Sequence, residues 1–284
     1  MKKQHTKTYL FALLPFIVLV GMFEIIPILS IVVQSFTSSG GFDFTLDNYI
    51  RIFTKQLYQT AIINSLFIAI ASSIIGIIIA FFGARAAFIA SDKSRKIFMS
   101  ILNMVSNFSG VPLAFAYIIM LGNTGILTLI GKEYGIFFLA EFPLYSVLGL
   151  MITYVYFQIP LAILLLLPAF NSLKKQWLDA VSLMGGTKTT FWLKVGLPVL
   201  MPSILGTFST LFANAIAAYA TAYALVMNNV SLLPIRISEQ FVGDVVQNPH
   251  LGGALAVVLM ALMILSIFIN EKIMQKNRSA YDGK

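Results

Sequence analysis

The sequence has no cysteine, so it has no disulfide framework, no thiolate-held zinc and no thiol nucleophile. It also has little charge. Only 11% of its 284 residues are charged, against about 25% in a soluble domain, while 58% are hydrophobic. Such a chain cannot clothe a water-facing surface, which excludes a soluble enzyme, a nucleic-acid-binding domain and a disordered protein. His5 and His250 are the only histidines. Neither has a partner at metal-ligand spacing, so both read as incidental surface residues and no metal site is expected. The nearest approach to an ATP-binding loop is Gly125 to Gly131-Lys132, with five intervening residues where four are needed and Glu133 where Ser or Thr should follow. H-E-x-x-H and G-x-S-x-G are both missing, so no catalytic residue and no bound cofactor are expected in this chain.

What the sequence does have is long apolar runs. Six reach bilayer length, at Leu10–Val33, Ala61–Ala84, Ile97–Leu121, Leu144–Leu167, Met201–Val226 and Leu251–Ile269. Helices are expected, because an isolated strand in lipid leaves its backbone unpaired. The first run follows Lys2, Lys3 and Lys7 but is too long for a signal-peptide core and lacks a small-x-small cleavage site; it reads as a retained anchor. The segments 1–9, 85–96, 168–200 and 270–284 hold 15 of the 19 Lys and Arg, and the alternate segments hold 4. That asymmetry places both termini inside and accounts for the net charge of +8. The organisation expected is an anchor helix and outer segment over 1–60, a core over 61–270, and a basic tail over 271–284.

Several runs carry helix-breaking residues: Pro15 and Pro27 in the first, Ser109-Gly110-Val111-Pro112 in the third and Pro160 in the fourth. Kinks are expected there, either as packing features or as walls of a pathway. Outside, Phe42–Tyr49 reads as a loop, with Thr45 or Asp47 capping a short helix over Tyr49–Phe53. Glu133, Glu141, Glu239 and Asp244 add acid on that side. Glu24 is the one ionisable group within an apolar core. Two readings stand for it: a cation or proton site, and a side chain that reaches the outer interface.

The inner segment 168–200 is the most informative. Trp177, Leu178, Val181 and Met184 form one apolar stripe, and Gly185-Gly186 should end that helix. A second amphipathic piece over Thr187–Val195 should stop at Leu197-Pro198. Docking into a groove of another protein and lying on the membrane surface are equally open on these residues alone.

Asp179-Ala180-Val181, three residues, Gly185-Gly186-Thr187, and the ending Val195-Gly196-Leu197-Pro198 resemble the EAA loop of binding-protein-dependent ABC importer permeases. Asp179 stands for the family's Glu and Val181 for its second Ala. Asn64-Ser65-Leu66 opens the second run as the transporter core opens in that family. Phe44–Tyr49 and Leu232-Leu233-Pro234-Ile235 look like the polyamine, iron, sulfate and phosphonate branch, most of all the spermidine/putrescine-type permeases.

The resemblance implies a six-helix, all-α transmembrane domain of the type I importer class. Its partners would be a similar but distinct second permease, a dimer of ATP-binding subunits carrying ATP and Mg, and an extracytoplasmic substrate-binding protein. The substrate would be a polyamine, with 2-aminoethylphosphonate, ferric iron or thiamine as alternatives. Asp179, Ala180, Leu183, Met184, Gly185, Gly186, Thr187 and Pro198 would form the ATPase-coupling segment within 171–198. Candidates for the pathway are Glu24, Asn107, Ser109, Tyr154, Gln158, Asn214 and Tyr219, with Asn103, Tyr156 and Thr221 beside them; each could instead bond helix to helix. A stand-alone secondary transporter and a membrane scaffold are the competing classes, and neither has a reason to keep the loop's spacing.

Overall fold

The computed structural model describes residues 13–38, 43–242 and 247–282. The segment 1–9 with His5, the expected start of the first span at Leu10, Phe42, Asp244 and the last two tail residues lie outside the described residues. Among the described residues six helices are long and apolar enough to cross a membrane. In chain order the helices are α1 (Leu13–Ser35), α2 (Asp47–Thr54), α3 (Gln56–Ile89), α4 (Asp92–Ser106), α5 (Val111–Leu121), α6 (Ile126–Glu133), α7 (Phe137–Ala140), α8 (Val147–Phe170), α9 (Lys175–Leu183), α10 (Lys188–Ile216), α11 (Tyr219–Val226), α12 (Leu233–Glu239) and α13 (Pro249–Asp282). One isolated antiparallel bridge joins Thr37 to Phe44.

The chain divides into two compact units, residues 1–59 with 236–260, and 60–235 with 261–284. In the first, the segment after α1 folds back on the helix end. Phe44 stacks on Phe36 at 5.7 Å, and Asn48 donates to the carbonyls of Ser35 (3.1 Å) and Thr37 (3.2 Å). The short outer helix is longer than expected, Asp47–Thr54, and the Thr45 hydroxyl accepts the Asp47 amide at 3.1 Å. His250 is not an incidental surface group: it is half-buried, with Nδ1 2.8 Å from the Thr37 hydroxyl and 3.2 Å from the Gln34 carbonyl.

The second unit is organised by small residues. Ala69, Ser73, Gly76, Ala80, Gly83 and Ala87 recur every three or four positions on α3. That spacing puts them on one face, which lets another backbone approach closely where lipid supplies no hydrophobic drive. A Cβ at Gly76 would lie 3.1 Å from that of Gln158, and one at Gly83 would lie 2.7 Å from Ile163 Cδ1, so α8 packs directly on this stripe. Gln158 donates to Ser72 (2.9 Å) and Ser73 (3.1 Å) across the same seam. Asn270 of α13 donates to the Ser209 hydroxyl and to the Leu205 carbonyl of α10.

Three expectations about the spans are corrected. The third run, Ile97–Leu121, is not one helix: α4 ends at Ser106, and α5 begins after Gly110, whose φ of +72° suits a residue without Cβ. Pro112 then fits the first turn of α5, where a missing amide costs nothing. The fifth run, Met201–Val226, breaks at Ala217-Ala218. In addition, Leu197-Pro198 does not stop the preceding helix, which runs on from Lys188 to Ile216.

The reason is a local widening. Residues Trp192–Gly196 form a π-helical turn in which the Leu197 amide reaches back to the Trp192 carbonyl. Proline lacks an amide and its ring strikes the carbonyl four residues earlier; a turn of five-residue bonds moves that carbonyl aside and keeps the helix unbroken. Residues Gly21–Ile25 do the same ahead of Pro27, at the same offset, with the Ile26 amide bonded to the Gly21 carbonyl. By contrast α8 stays α-helical through Pro160 and Pro168.

Candidate functional site: the cytoplasmic hairpin and two helix breaks

Helix α9 and the start of α10 form a tight hairpin. The Gly186 amide donates to the Val181 carbonyl at 2.8 Å and the Gly185 amide to the Ser182 carbonyl at 3.0 Å, the paired bonds of a Schellman ending. Gly185 supplies the left-handed residue, at φ +76°. Thr187 then caps α10 reciprocally: its hydroxyl accepts the Thr190 amide at 3.2 Å, and the Thr190 hydroxyl accepts the Thr187 amide at 3.3 Å. Nine residues, Ser182–Thr190, are thus fixed without help from the membrane-spanning core.

The hairpin has two faces. Val181 is buried, Trp177 and Leu178 are half-buried, and Phe191 is buried on the inner face. Met184 leaves the expected stripe because it is the residue after the last helical position, and it turns outward. Leu183 is 90% exposed and Met184 79%, beside exposed Asp179, Ala180, Gly185 and Thr187. Gly186 and Pro198 are half-buried, and Pro198 lies within α10 rather than on the tip. An apolar pair at the tip of a rigid polar turn is an anchor shape: nothing among the described residues covers it, and burying it against a partner would stabilise a complex.

Behind the hairpin lies an aromatic cluster. The Trp192 ring meets Phe81 at 5.7 Å, Phe191 at 5.6 Å and Phe170 at 6.3 Å. The Arg85 guanidinium sits 4.8 Å above the Trp192 ring, a cation–π contact at the inner end of α3. The aromatic cluster ties the hairpin base to the ends of α3 and α8.

The expected pathway residues separate into two sets. Gln158 is fully buried in the α3–α8 seam, and Tyr154 is buried with its hydroxyl donating to the Ala218 carbonyl at 2.6 Å. Thr221 is buried as well, and Tyr156 packs edge-on against Tyr117. Gln158 and Tyr154 bond helix to helix, and Thr221 and Tyr156 are packed among the helices. Asn103, Asn107, Ser109 and Asn214 are exposed, and Tyr219 is half-buried and stacked on Tyr223 at 5.3 Å. Glu24 is exposed on α1, inside the π-helical turn before Pro27.

The exposed set clusters at the two helix breaks, and the breaks meet. A Cβ at Gly110 would lie 3.9 Å from that of Ala220, and Tyr154 bonds the carbonyl at the second break. At Ser109–Pro112 the expected kink is a full break between two helices, and Ala217-Ala218, with no Gly or Pro, gives no sequence signal of the second. The small-residue stripe on α3 carries its signal in spacing alone, a residue at every third or fourth position.

The chain matches no protein-family model. It is 24% identical over 231 residues to the sulfoquinovosyl glycerol transport system permease protein SmoH of Agrobacterium fabrum, covering 81% of this chain and 75% of that one. Among solved structures it resembles a bacterial ABC transporter involved in the import of the acidic polysaccharide alginate, with TM-score 0.70, 17% identity, and 96% and 98% of the two chains covered. A second alginate transporter structure, in complex with an alginate pentasaccharide-bound periplasmic protein, gives TM-score 0.74 at 16% identity over 97% and 96%. The inward-facing MetNI methionine ABC transporter gives 0.61 at 16% over 78% and 96%.

The fold is that of a type I ABC importer transmembrane domain. Within that fold, the exposed hairpin at 179–187 has a shape for docking, and the two facing breaks adjoin the ends of the spans Val111–Glu133 and Lys188–Ile216. Irregular backbone at membrane depth is tolerated where it lines a cavity or is buried in protein, which makes the breaks the candidate pathway wall.

Proposed function

We propose that this chain is one permease subunit of an ATP-driven importer of the bacterial cytoplasmic membrane. The observation that carries the reading is the hairpin tip. Leu183 and Met184 are presented on a turn locked by the two Schellman bonds and the two bonds of the Thr187–Thr190 capping box, and the turn leads directly into the fifth span. In this reading the tip seats in a groove of an ATP-binding subunit, with Asp179 paired to a cation there. ATP and Mg are bound by two such subunits, a second and distinct permease completes the pathway, and an extracytoplasmic protein delivers substrate.

Closure of the ATPases moves the tip, and α10 carries that displacement as a rigid rod to its end at Ile216. The break at Ala217-Ala218 lies immediately beyond, facing Gly110. A rod that ends at a helix break beside the pathway converts a push at one end into a change of access at the other. The chain itself performs no bond chemistry.

For the substrate, the polyamine expectation rests on the likeness of Phe44–Tyr49 and Leu232–Ile235 and on Tyr154 and Tyr156 as cation–π partners for an amine. A polyamine path calls for carboxylates or open aromatic faces, and Tyr154 offers neither, being buried and bonded to Ala218. The exposed groups at the breaks are neutral amides and hydroxyls beside the stacked Tyr219–Tyr223 pair. That set hydrogen-bonds many hydroxyls and offers an aromatic edge to a sugar ring, so we favour a glycoside or oligosaccharide. The names of the sulfoquinovosyl glycerol and alginate relatives support that class, and the MetNI name keeps an amino acid as the comparison arm.

The test is co-purification together with uptake. Leu183→Asp should leave the permease inserted, because the side chain is almost fully exposed, yet abolish recovery of an ATP-binding subunit on the tagged permease. Uptake of a labelled glycoside by cells lacking the gene, with spermidine and methionine as comparison substrates, then separates the substrate classes. Full recovery of the ATPase with Leu183→Asp would overturn the coupling reading.

A further inference from the structure

On the inner side of the second unit, the hairpin base and the ends of α3 and α8 enclose a cleft of about 240 Å³. Its charged lining is Arg85, Lys174 and Lys188; no carboxylate lines it. The rest of the wall is apolar, including Phe88, Ile89 and Leu178. The arrangement is unusual for a simple interior gap. Three cations converge, Arg85 is half-buried against Trp192, and among the described residues no ion pair neutralises any of them. A half-buried guanidinium flanked by two exposed lysines, with no counter-charge beside it, is stabilised when an anion joins it.

The wall also says what sort of anion. Arg85, Phe88 and Ile89 occupy the last turns of α3, at the inner boundary of the hydrocarbon by the Lys/Arg distribution of the sequence. The cleft therefore opens where lipid phosphates lie, with cations for a headgroup and an apolar side for a chain. Basic pockets among the cytoplasmic ends of transmembrane helices bind anionic headgroups for this reason. A small soluble anion would leave the Phe88, Ile89 and Leu178 wall uncovered.

We propose that this cleft binds the phosphate headgroup of an anionic inner-leaflet phospholipid. Arg85 and the two lysines hold the phosphate, and the upper part of one acyl chain runs along Phe88 and Ile89. A lipid seated there contacts Leu178 on the inner face of the hairpin helix and Trp192 at the start of α10. It bridges the hairpin to the second span, so its occupancy stiffens the link between the hairpin and the core. The site is independent of whether an ATPase docks on the opposite face, where Leu183 and Met184 point.

The experiment uses the full chain, purified with its co-expressed subunits into nanodiscs of dioleoylphosphatidylglycerol and dioleoylphosphatidylcholine. Native mass spectrometry counts the lipids retained on release. The wild type should keep phosphatidylglycerol in preference to phosphatidylcholine. Lys174→Gln with Lys188→Gln, both at exposed positions that leave the aromatic cluster intact, should weaken retention roughly fivefold for each charge removed. Arg85→Gln should do the same and Arg85→Lys should restore most of it. Inorganic phosphate at tens of millimolar should not displace the lipid.

Equal phosphatidylglycerol retention in the double lysine variant and the wild type would overturn the proposal. Displacement by inorganic phosphate would replace it with a site for a free anion. Unchanged lipid retention with loss of a co-purifying subunit would mean that the cations face a protein carboxylate instead.

Discussion

Gly186 is closed against Val181 by a bond that leaves no room for a side chain. The Gly186 amide bonds the Val181 carbonyl at 2.8 Å, and a Cβ on residue 186 would lie 2.6 Å from Val181 Cγ1. The backbone bond therefore exists only because position 186 has no side chain. Its neighbour Gly185 is free of steric contact but stands at φ +76°, so the two glycines are needed for different reasons, conformation at one and space at the other.

These two requirements separate in mutants. Gly185→Ala forces an L-residue into the left-handed region at a cost of about 1–2 kcal/mol, which loosens the turn without collision. Gly186→Val drives a branched side chain into Val181 and breaks the turn outright. Membrane insertion should persist in both, because neither lies in a span. Uptake should fall in part for Gly185→Ala and vanish for Gly186→Val. Gly135 is the control, with φ +69° and nothing nearby, but on the outer side; Gly135→Ala should lower thermal stability by the same amount and leave ATPase recovery intact.

The π-helical turn before Pro198 makes a second prediction. Pro198→Ala restores an amide and removes the ring that widened the turn, and a proline inside a helix costs about 3 kcal/mol relative to alanine. The variant should be at least as stable as the wild type by detergent-solubilised thermal melting. Its transport should nonetheless fail. Losing a five-residue turn in favour of the regular helix removes one residue from the register, which rotates the tip by about 100° relative to the span. Stable protein with ATP hydrolysis no longer stimulated by substrate is the expected signature; normal stimulation would show that the tip orientation does not depend on the widened turn.

How much of this was legible beforehand follows from what sets each feature. The number of spans and the orientation expected for them follow from apolar length and the Lys/Arg distribution, which are bulk properties; the bounds do not, since the third span lies at Val111–Glu133 rather than Ile97–Leu121 and the fifth at Lys188–Ile216 rather than Met201–Val226. The hairpin was legible because Gly185-Gly186 and Thr187 are local signals whose bonds close within a few residues. Span continuity was not. Leu197-Pro198 looked like a stop because proline breaks an α-helix, yet a widened turn passes it, and whether the chain widens or breaks depends on how Trp192 packs on Phe81 and Phe170. Ala217-Ala218 looked helical and breaks, with the Tyr154 hydroxyl taking up the Ala218 carbonyl from a residue 64 positions away. Gln158 looked like a pathway residue because a polar group in a span suggests water, whereas its partners Ser72 and Ser73 lie over 80 residues earlier.

The α3–α8 seam can be tested through Gly76 and Gln158. A Cβ at Gly76 already falls 3.1 Å from that of Gln158, so Gly76→Val overfills a close backbone crossing and should destabilise by about 1–3 kcal/mol or more. Gln158→Met keeps the volume and gives up two hydrogen bonds, each about 0.6 kcal/mol in a membrane interior. It also removes a buried amide oxygen that has no partner, which offsets part of that loss. The expected result is a small change in thermal midpoint for Gln158→Met with uptake retained. Loss of uptake at unchanged stability would move Gln158 from the seam to the pathway.

The absence of cysteine makes the pathway itself accessible to measurement, since every introduced thiol is the sole one in the chain. Ser109 and Asn214 flank the two facing breaks and are exposed, whereas Thr153 lies fully buried with its hydroxyl bonded to the Gly149 carbonyl at 3.0 Å. If the breaks line the route, Ser109→Cys and Asn214→Cys in the intact complex should react with a membrane-impermeant, water-soluble thiol reagent, and Thr153→Cys should not. Reaction should slow when transported substrate is present and change again when the complex is trapped with a non-hydrolysable ATP analogue, because the tip and the break are the two ends of α10. A thiol at 109 or 214 that reacts only with lipid-soluble reagents would place those positions against the bilayer and remove the breaks from the pathway. Substrate protection at these positions without any response to the nucleotide analogue would keep the pathway and sever its link to the hairpin.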